Sequence, residues 1–444
     1  MTAMLFLLGS VCAAGEALTN LGEFPVSVKG PWTVQVGPGS LAFGDKIFAL
    51  KEAVSLEVPS PQKEDVKDEK HEALPLFDER AGGWRRGNRL KALITQECSA
   101  TGLLLPGSVR VKCSPGKGES LEEGRDYALD GFWATLGRLK IGEIEEGQTV
   151  FVDYQLRKSC LHAVVMDKEE VPRIRMGEPD LALVQPACLQ EGDIAIAYVW
   201  VPGDAEALDE ESLFPLGKAL PRAPMPSSRK AQSLCPQTWT KLTKGEAVRI
   251  VAWGDSVTNG GGVSQASDRW QNQFAERLRK RFPKAEIEMI TAAWGGANSK
   301  QYMDAPAGGE HDFARDVLEP RPDLVVIEFV NDAYLNEEGT QKHYQIILDH
   351  LRGIEAEVIL MTPHLVRPDW MGVNTLQFDE DPRPYVKGLK RFAGENKVPL
   401  ADASSLWCGL WRQGIPYVTL LGNSINHPDA RGHALFADAL MELF

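Results

Sequence analysis

Positive charge is in short supply along this chain. Its 444 residues carry 48 Lys and Arg against 62 Asp and Glu, a formal net charge of −14. That balance argues against nucleic acid as the main partner, because phosphate binding needs clustered cations. The best basic run, Arg277, Arg279, Lys280 and Arg281, reads as the solvated face and end of a helix, where cations favour the dipole. Long apolar runs are lacking too. After the N-terminus no stretch is apolar and long enough to cross a bilayer, which predicts a soluble mature protein with no membrane span. Cysteine is sparse, with Cys98, Cys113, Cys160, Cys188, Cys235 and Cys408 scattered beyond Cys12 and no metal spacing among them. One or two disulfides of an exported protein and buried free thiols fit this pattern equally. Oligomeric state cannot be read from any of these features.

The first residues, "MTAMLFLLGSVCAAGEA", join an apolar run to small residues but lack a basic flank. Residues 1–17 therefore read as an atypical signal peptide, implying a secreted or periplasmic protein; an ordinary apolar segment is the alternative. From 18 to 220 the apolar residues come in short alternating runs such as "QTVFVDYQL" and "DIAIAYVWV", separated by Gly and Pro. This predicts a β-rich accessory domain. Within it "PSPQKEDVKDEKHEALPLFDER" is charged and reads as an exposed loop. Residues 221–237, rich in Pro and Ser, read as a linker.

From 238 to 444 the rhythm changes. The runs "VRIVAWG", "IEMITAA", "DLVVIEFV", "EVILMTP" and a weaker "VPLADAS" alternate with helical segments. This predicts an α/β domain, a parallel sheet covered on both faces. Tyr344, Ile347, Leu348 and Leu351 share one helical stripe, and Ser267 is the expected N-cap of "SDRWQNQFAERLRKRF". Ligands of such sheets bind at the carboxyl ends of the strands, so chemistry should follow the apolar runs.

Asp255 and Ser256 follow the first run, "WGGANS" the second, "NDAYLN" the third, "PHLVRPDWMG" the fourth, and "NSINHPDARGH" opens the last helix. A serine hydroxyl becomes a nucleophile when a base takes its proton, and His427 is the candidate base. An oxyanion needs preorganised N–H donors; Gly296, Asn331 and the backbone of Ser256 can supply them.

With these blocks in hand, "GDSV", "WGGANS", "VND" and "NHPDARGH", the second half of the chain resembles the SGNH (GDSL-type) hydrolases. The resemblance implies a three-layer α/β/α sandwich of flavodoxin-like type, with Ser256 as nucleophile, Gly296 and Asn331 as oxyanion donors and His427 as base. Two places depart from the family pattern. Phe329 stands where a Gly usually precedes the Asn by two residues, and Ser424 stands where the acid usually precedes the His by three.

The implied activity is a serine esterase with no metal or cofactor, acting on small acyl groups. An O-acetyl ester of a carbohydrate is expected, since exported members with β domains often are carbohydrate deacetylases. A lipase-type acyl hydrolase, or a glycan-binding protein with a degenerate hydrolase domain, are the alternatives. His364, Trp294 and Trp370 are candidates to line a substrate pocket, while Asp255 and Asp332 read as structural and His433 as a capping or packing residue. His343 and His350 share a helical face without a third ligand, so a metal is not expected there. Gly260, Gly261 and Gly262 lack the Lys-Ser or Lys-Thr of a phosphate loop and read as a flexible turn.

Overall fold

The computed structural model describes residues 24–43, 46–216 and 225–444. The apolar N-terminal stretch read as a signal peptide and residues 221–224 of the expected linker lie outside them; the rest of that segment holds the turn Ser227–Arg229, the short helix Ala231–Leu234 and the start of the helix Pro236–Lys244. The described chain divides into two compact units, one of residues 24–216 with 411–425, the other of residues 225–410 with 426–444. The return of 411–425 to the first unit is not expected from the sequence.

The first unit consists of short antiparallel sheets around two apolar clusters. One cluster gathers Val111, Val150, Val152, Tyr154 and Leu156, the other Val34, Val36, Val164, Val199 and Val201. The alternating runs form strands as expected, Val150–Arg157 and Ile194–Val201 among them. The charged segment expected as a loop differs. Lys63–His71 within it is a nine-residue strand paired antiparallel to Val150–Arg157, with Arg110–Lys112 on that strand's other side. It is an edge strand, where charged side chains face water while the backbone pairs on one side only. None of the six described cysteines is in a disulfide with another described residue.

The second unit is built on five parallel strands: β1 (Ala247–Gly254), β2 (Glu286–Ala293), β3 (Leu324–Glu328), β4 (Glu357–Met361) and β5 (Leu400–Ala401). Their order is β2-β1-β3-β4-β5. Around them lie α1 (Pro236–Lys244), α2 (Trp270–Arg281), α3 (Ser299–Met303), α4 (Glu337–Arg352), α5 (Pro384–Asn396), α6 (Ala403–Cys408) and α7 (Ala430–Met441). The strands read as near-continuous apolar runs because helices cover both faces, and all five residues of β3 are buried.

Tyr344, Ile347, Leu348 and Leu351 form the buried stripe of α4, as their spacing predicts. Helix α2 starts later than expected. Ser267 lies in a short turn, Ala266–Asp268, and Arg269 is the N-cap, contributing no side-chain hydrogen bond.

The departure at Phe329 has a packing reason. Its ring is fully buried, edge-on to Trp253 at 5.1 Å, and Trp253 also meets Tyr302 and Phe313. A buried aromatic contributes about 1.5–3 kcal/mol by area and about 1 kcal/mol more through such a pair, which favours Phe over Gly here.

Candidate active site

The strand order reverses at β1, which has β2 on one side and β3 on the other, and a crevice opens at the carboxyl ends of such a switch point. The ends are flush there, since Gly254 pairs with Ala293 of β2 and Glu328 of β3. The loops leaving the three strands carry Ser256, Gly296 and Asn331.

Ser256 is partly exposed in the turn after β1, and His427 Nε2 lies 3.0 Å from its Oγ. That is hydrogen-bond distance for transfer of the hydroxyl proton to the imidazole. Asp255 beside it is fully buried and ties two of the loops together. Its Oδ1 accepts from Val257 N (3.1 Å) and its Oδ2 from Asn331 N (3.0 Å). Burial pushes its pKa up against these hydrogen bonds. Glu328, at the end of β3, is also buried and raised by burial, and it accepts from Thr258 Oγ1 at 3.2 Å.

The Asn331 amide is fixed by Nδ2 donating to Ala297 O at 3.2 Å, which joins it to the loop carrying Gly296. An amide nitrogen bears two N–H groups, so one such bond leaves donor capacity at this edge. Gly296 has φ 81°, a conformation that suits glycine, and a side chain there would point into open space. A Cβ on Gly295 would lie 3.8 Å from Ser256 Cβ, so the β2 loop approaches the serine closely.

Asp332 is buried and organises the turn behind Asn331. It accepts from Ser299 N (2.8 Å), Ser299 Oγ (2.6 Å) and Tyr344 OH (2.8 Å), and burial pushes its pKa up to about 6.

His427 is framed by features that the sequence does not announce. A Cβ on Gly261 would lie 2.9 Å from Cγ and Cδ2 of the imidazole, so the ring sits on that glycine's bare face. Gly260 and Gly262 have φ 96° and 94°, and Gly261 N donates to Ser256 O at 2.7 Å. The expected flexible turn is therefore a tied platform. His433, on α7, holds it: Nδ1 accepts from Trp270 N at 3.2 Å and Nε2 donates to Gly261 O at 3.1 Å. Burial lowers the His433 pKa to about 4, which keeps that ring neutral and able to do both.

The expectation for His364 is corrected in a similar way. It is fully buried rather than pocket-lining, and its Nε2 donates to the carbonyl of Asn426 at 2.7 Å, one residue before His427. Burial, then the nearby Arg383, drive its pKa well down. A neutral ring buried in this way can steady the backbone leading into His427.

Trp294 is partly buried, stacked on His311 with centroids 4.5 Å apart. Trp370 is 49% exposed, with the Arg367 guanidinium 5.5 Å from its ring. Tyr334, three residues after Asn331, is 57% exposed and escaped the sequence reading because an isolated Tyr in a loop carries no pattern. His343 Nε2 meets Ser299 Oγ at 2.6 Å, whereas His350 lies against the Phe313 ring, so the two do not converge. Among the described residues, no three His, Cys, Asp or Glu side chains are gathered as a metal site.

Ser424 has φ 61° and a buried Oγ with no hydrogen-bond partner among the described residues. The nearest acid on each side of 424 in sequence, Asp402 before it and Asp429 after it, caps a helix. Asp402 accepts from Ser405 N and Oγ and pairs with Lys390 at 3.0 Å, and Asp429 accepts from Arg431 N and Gly432 N and pairs with Arg431.

A doubly wound sheet with a Ser–His pair at its switch point defines a hydrolase-type site. Residues 252–435 match the model of the GDSL-like lipase/acylhydrolase family, and the C-terminal half of the chain is a domain of that family. No curated protein matches the sequence. Among solved structures, a two-domain esterase (CEX) active on acetylated mannans is similar at 21% identity and TM-score 0.39, covering 49% of this chain and 53% of that one. This match thus spans about half the length of that protein. An acetyl xylan esterase, AlAXEase, is similar at 20% identity and TM-score 0.35, covering 44% of this chain and 98% of that one. A variant of Axe2, an acetyl-xylooligosaccharide esterase from Geobacillus Stearmophilus, matches at 17% identity and TM-score 0.35, over 44% of this chain and 94% of that one. No helix among the described residues is long and apolar enough to cross a membrane.

Proposed function

We propose that the protein is a serine esterase that removes small acyl groups, O-acetyl above all, from a carbohydrate. The observation that carries this reading is the 3.0 Å approach of His427 Nε2 to Ser256 Oγ at the switch point of the sheet. Ser256 Oγ attacks the ester carbonyl while His427 takes its proton. The Asn331 amide, with the backbone N–H groups of Gly296 and Ser256, receives the negative charge that develops on the carbonyl oxygen. His427 then gives the proton to the departing sugar alkoxide, leaving an acyl-enzyme. A water molecule, deprotonated by His427, attacks that acyl carbon; collapse releases the acid and restores the serine.

The carbohydrate side of the reading is supported by the loops. The segment after β4 is buried as far as Arg367 and then carries the exposed Asp369 and Trp370, and Tyr334 stands exposed after Asn331. Such rings stack on sugars, whereas an acyl-chain tunnel needs continuous apolar lining.

The test combines two measurements. Ser256→Ala, still folded by circular dichroism, should lose aryl acetate hydrolysis by several orders of magnitude. The wild type should cleave aryl acetate much faster than aryl esters of about eight carbons or more, where each buried methylene would favour a lipase. Retained activity in Ser256→Ala would sink the mechanism, and a long-chain preference would sink the substrate class. Release of acetate from an acetylated glycan then checks the acceptor.

A further inference from the structure

The first unit carries a cleft that hydrolysis at Ser256 does not use. It encloses about 650 Å³, and every residue lining it belongs to that unit. Lys70, Arg85, Arg89 and Lys91 border it, against the carboxylates of Glu72 and Glu97. A local excess of cations is a marked reversal in a chain whose net charge is −14.

The floor of the cleft is built rather than incidental. Beneath it Glu69, with 8% of its side chain exposed, accepts from His71 Nε2 (2.9 Å), Tyr154 OH (2.5 Å) and Lys91 N (2.8 Å). Its carboxylate is thus engaged by three donors, and Lys91 is anchored at both ends, since its Nζ donates to Lys70 O at 2.6 Å. Arg89 spends one N–H on Cys98 O at 3.3 Å, and a guanidinium has five. The Lys70–Glu72 pair is exposed on both sides and screened by water.

Trp84 supplies a flat surface at the same cleft. Its ring leans on Trp133 with centroids 5.1 Å apart, and the Arg85 guanidinium lies 5.5 Å from it. An aromatic face beside fixed cations suits a ligand that is both ring-shaped and anionic.

We propose that this cleft binds an acidic saccharide chain, with a sugar ring on Trp84 and its carboxylates received by Arg85, Arg89, Lys70 and Lys91. Such a site would hold a uronate-bearing polymer independently of any ester chemistry. It requires no step at Ser256, so it stands or falls apart from the esterase reading.

The experiment is calorimetric titration of the full-length protein with tetragalacturonate, and with mannotetraose and a short single-stranded DNA as the neutral and non-saccharide probes. Tetragalacturonate should bind at least about tenfold tighter than either, and should weaken with added salt. Arg85→Gln, at an exposed position, should weaken it about tenfold, and Trp84→Ala should do so at least as strongly, with aryl acetate hydrolysis unchanged in both. Equal binding of mannotetraose would overturn the acidic assignment, and equal binding of DNA would reduce the cleft to an unspecific cation patch. Absence of binding to all three, or an Arg85→Gln affinity equal to wild type, would overturn the site itself.

Discussion

Adding one methyl group at Gly261 tests whether the imidazole of His427 is seated as described. An alanine Cβ would lie 2.9 Å from Cγ and Cδ2 and 3.0 Å from Cε1 of the ring. Carbon atoms rest at about 3.5–4.0 Å, so the ring must retreat by about 0.5–1 Å. The 3.0 Å reach from Nε2 to Ser256 Oγ leaves no slack for such a shift. A misplacement of about 1 Å in a reacting group costs about a hundredfold in rate, and the loss should fall on kcat with KM nearly unchanged. The assay is steady-state hydrolysis of aryl acetate, with the rate of labelling by a serine-directed phosphonate as a second readout. Gly394→Ala is the control, because that exposed glycine of α5 has nothing within 4 Å of a Cβ and an alanine there should be neutral or mildly stabilising. If Gly261→Ala keeps its rate within about threefold of wild type, the platform is not holding the imidazole and the argument fails.

Three further outcomes are expected. Asn331→Ala should lower kcat by about a hundredfold or more with little change in KM, since a donor aimed at the transition state does little for the ground state; a pure KM effect would make Asn331 a binding residue. His433 titrates at about 4 in the folded protein, below its unfolded value of about 6.5, so its contribution to stability is full above that upper value and is lost as pH falls toward the lower one. The loss attributable to His433 is about 2 kcal/mol by about pH 5, and the urea midpoint of His433→Asn should therefore fall less steeply between about pH 7 and pH 5 than that of wild type; parallel curves would refute the buried neutral imidazole. Asp402→Asn and Asp429→Asn should each keep most of the activity while His427→Ala does not, and a loss at either Asp as deep as that at His427, in a folded protein, would make that Asp the partner of the base.

The parallel sheet was legible because helices cover both of its faces, which leaves strands such as Leu324–Glu328 apolar throughout. The order of Ser256, Gly296, Asn331 and His427 was legible for a related reason: each follows a strand or opens a helix, so a local pattern marks it. What surrounds His427 was not. Gly261, His364 and His433 act through contacts with residues distant in sequence, and their types alone suggest a turn, a pocket wall and a cap. The edge strand Lys63–His71 was hidden because its pairing is a backbone property while its side chains report only exposure to water. Segment 411–425 escaped for want of any boundary signal. Its ties to the first unit run through Asn423 Nδ2 to Glu97 Oε1 at 2.8 Å and Thr95 Oγ1 to Asn423 O at 3.4 Å.

That segment bears on the acid that the family pattern places at 424. An acid three residues before the base works when the intervening backbone folds back and aims its side chain at the imidazole, holding the tautomer and stabilising the imidazolium. Ser424 lies one residue before the end of a segment that groups with the other unit, and its φ of 61° is one that Asp tolerates better than most residues. Geometry at 424 therefore does not forbid an acid; the residue type does. Asp402 and Asp429 have the right chemistry and other work. Each caps a helix and pairs with a cation, and releasing one would cost about 1 kcal/mol of capping besides stranding Lys390 or Arg431. His427 is steadied by the Gly261 platform beneath the ring and by His364, which donates to the Asn426 carbonyl beside it. Neither carries a negative charge, so both can orient the imidazole but neither can stabilise the imidazolium as a carboxylate does.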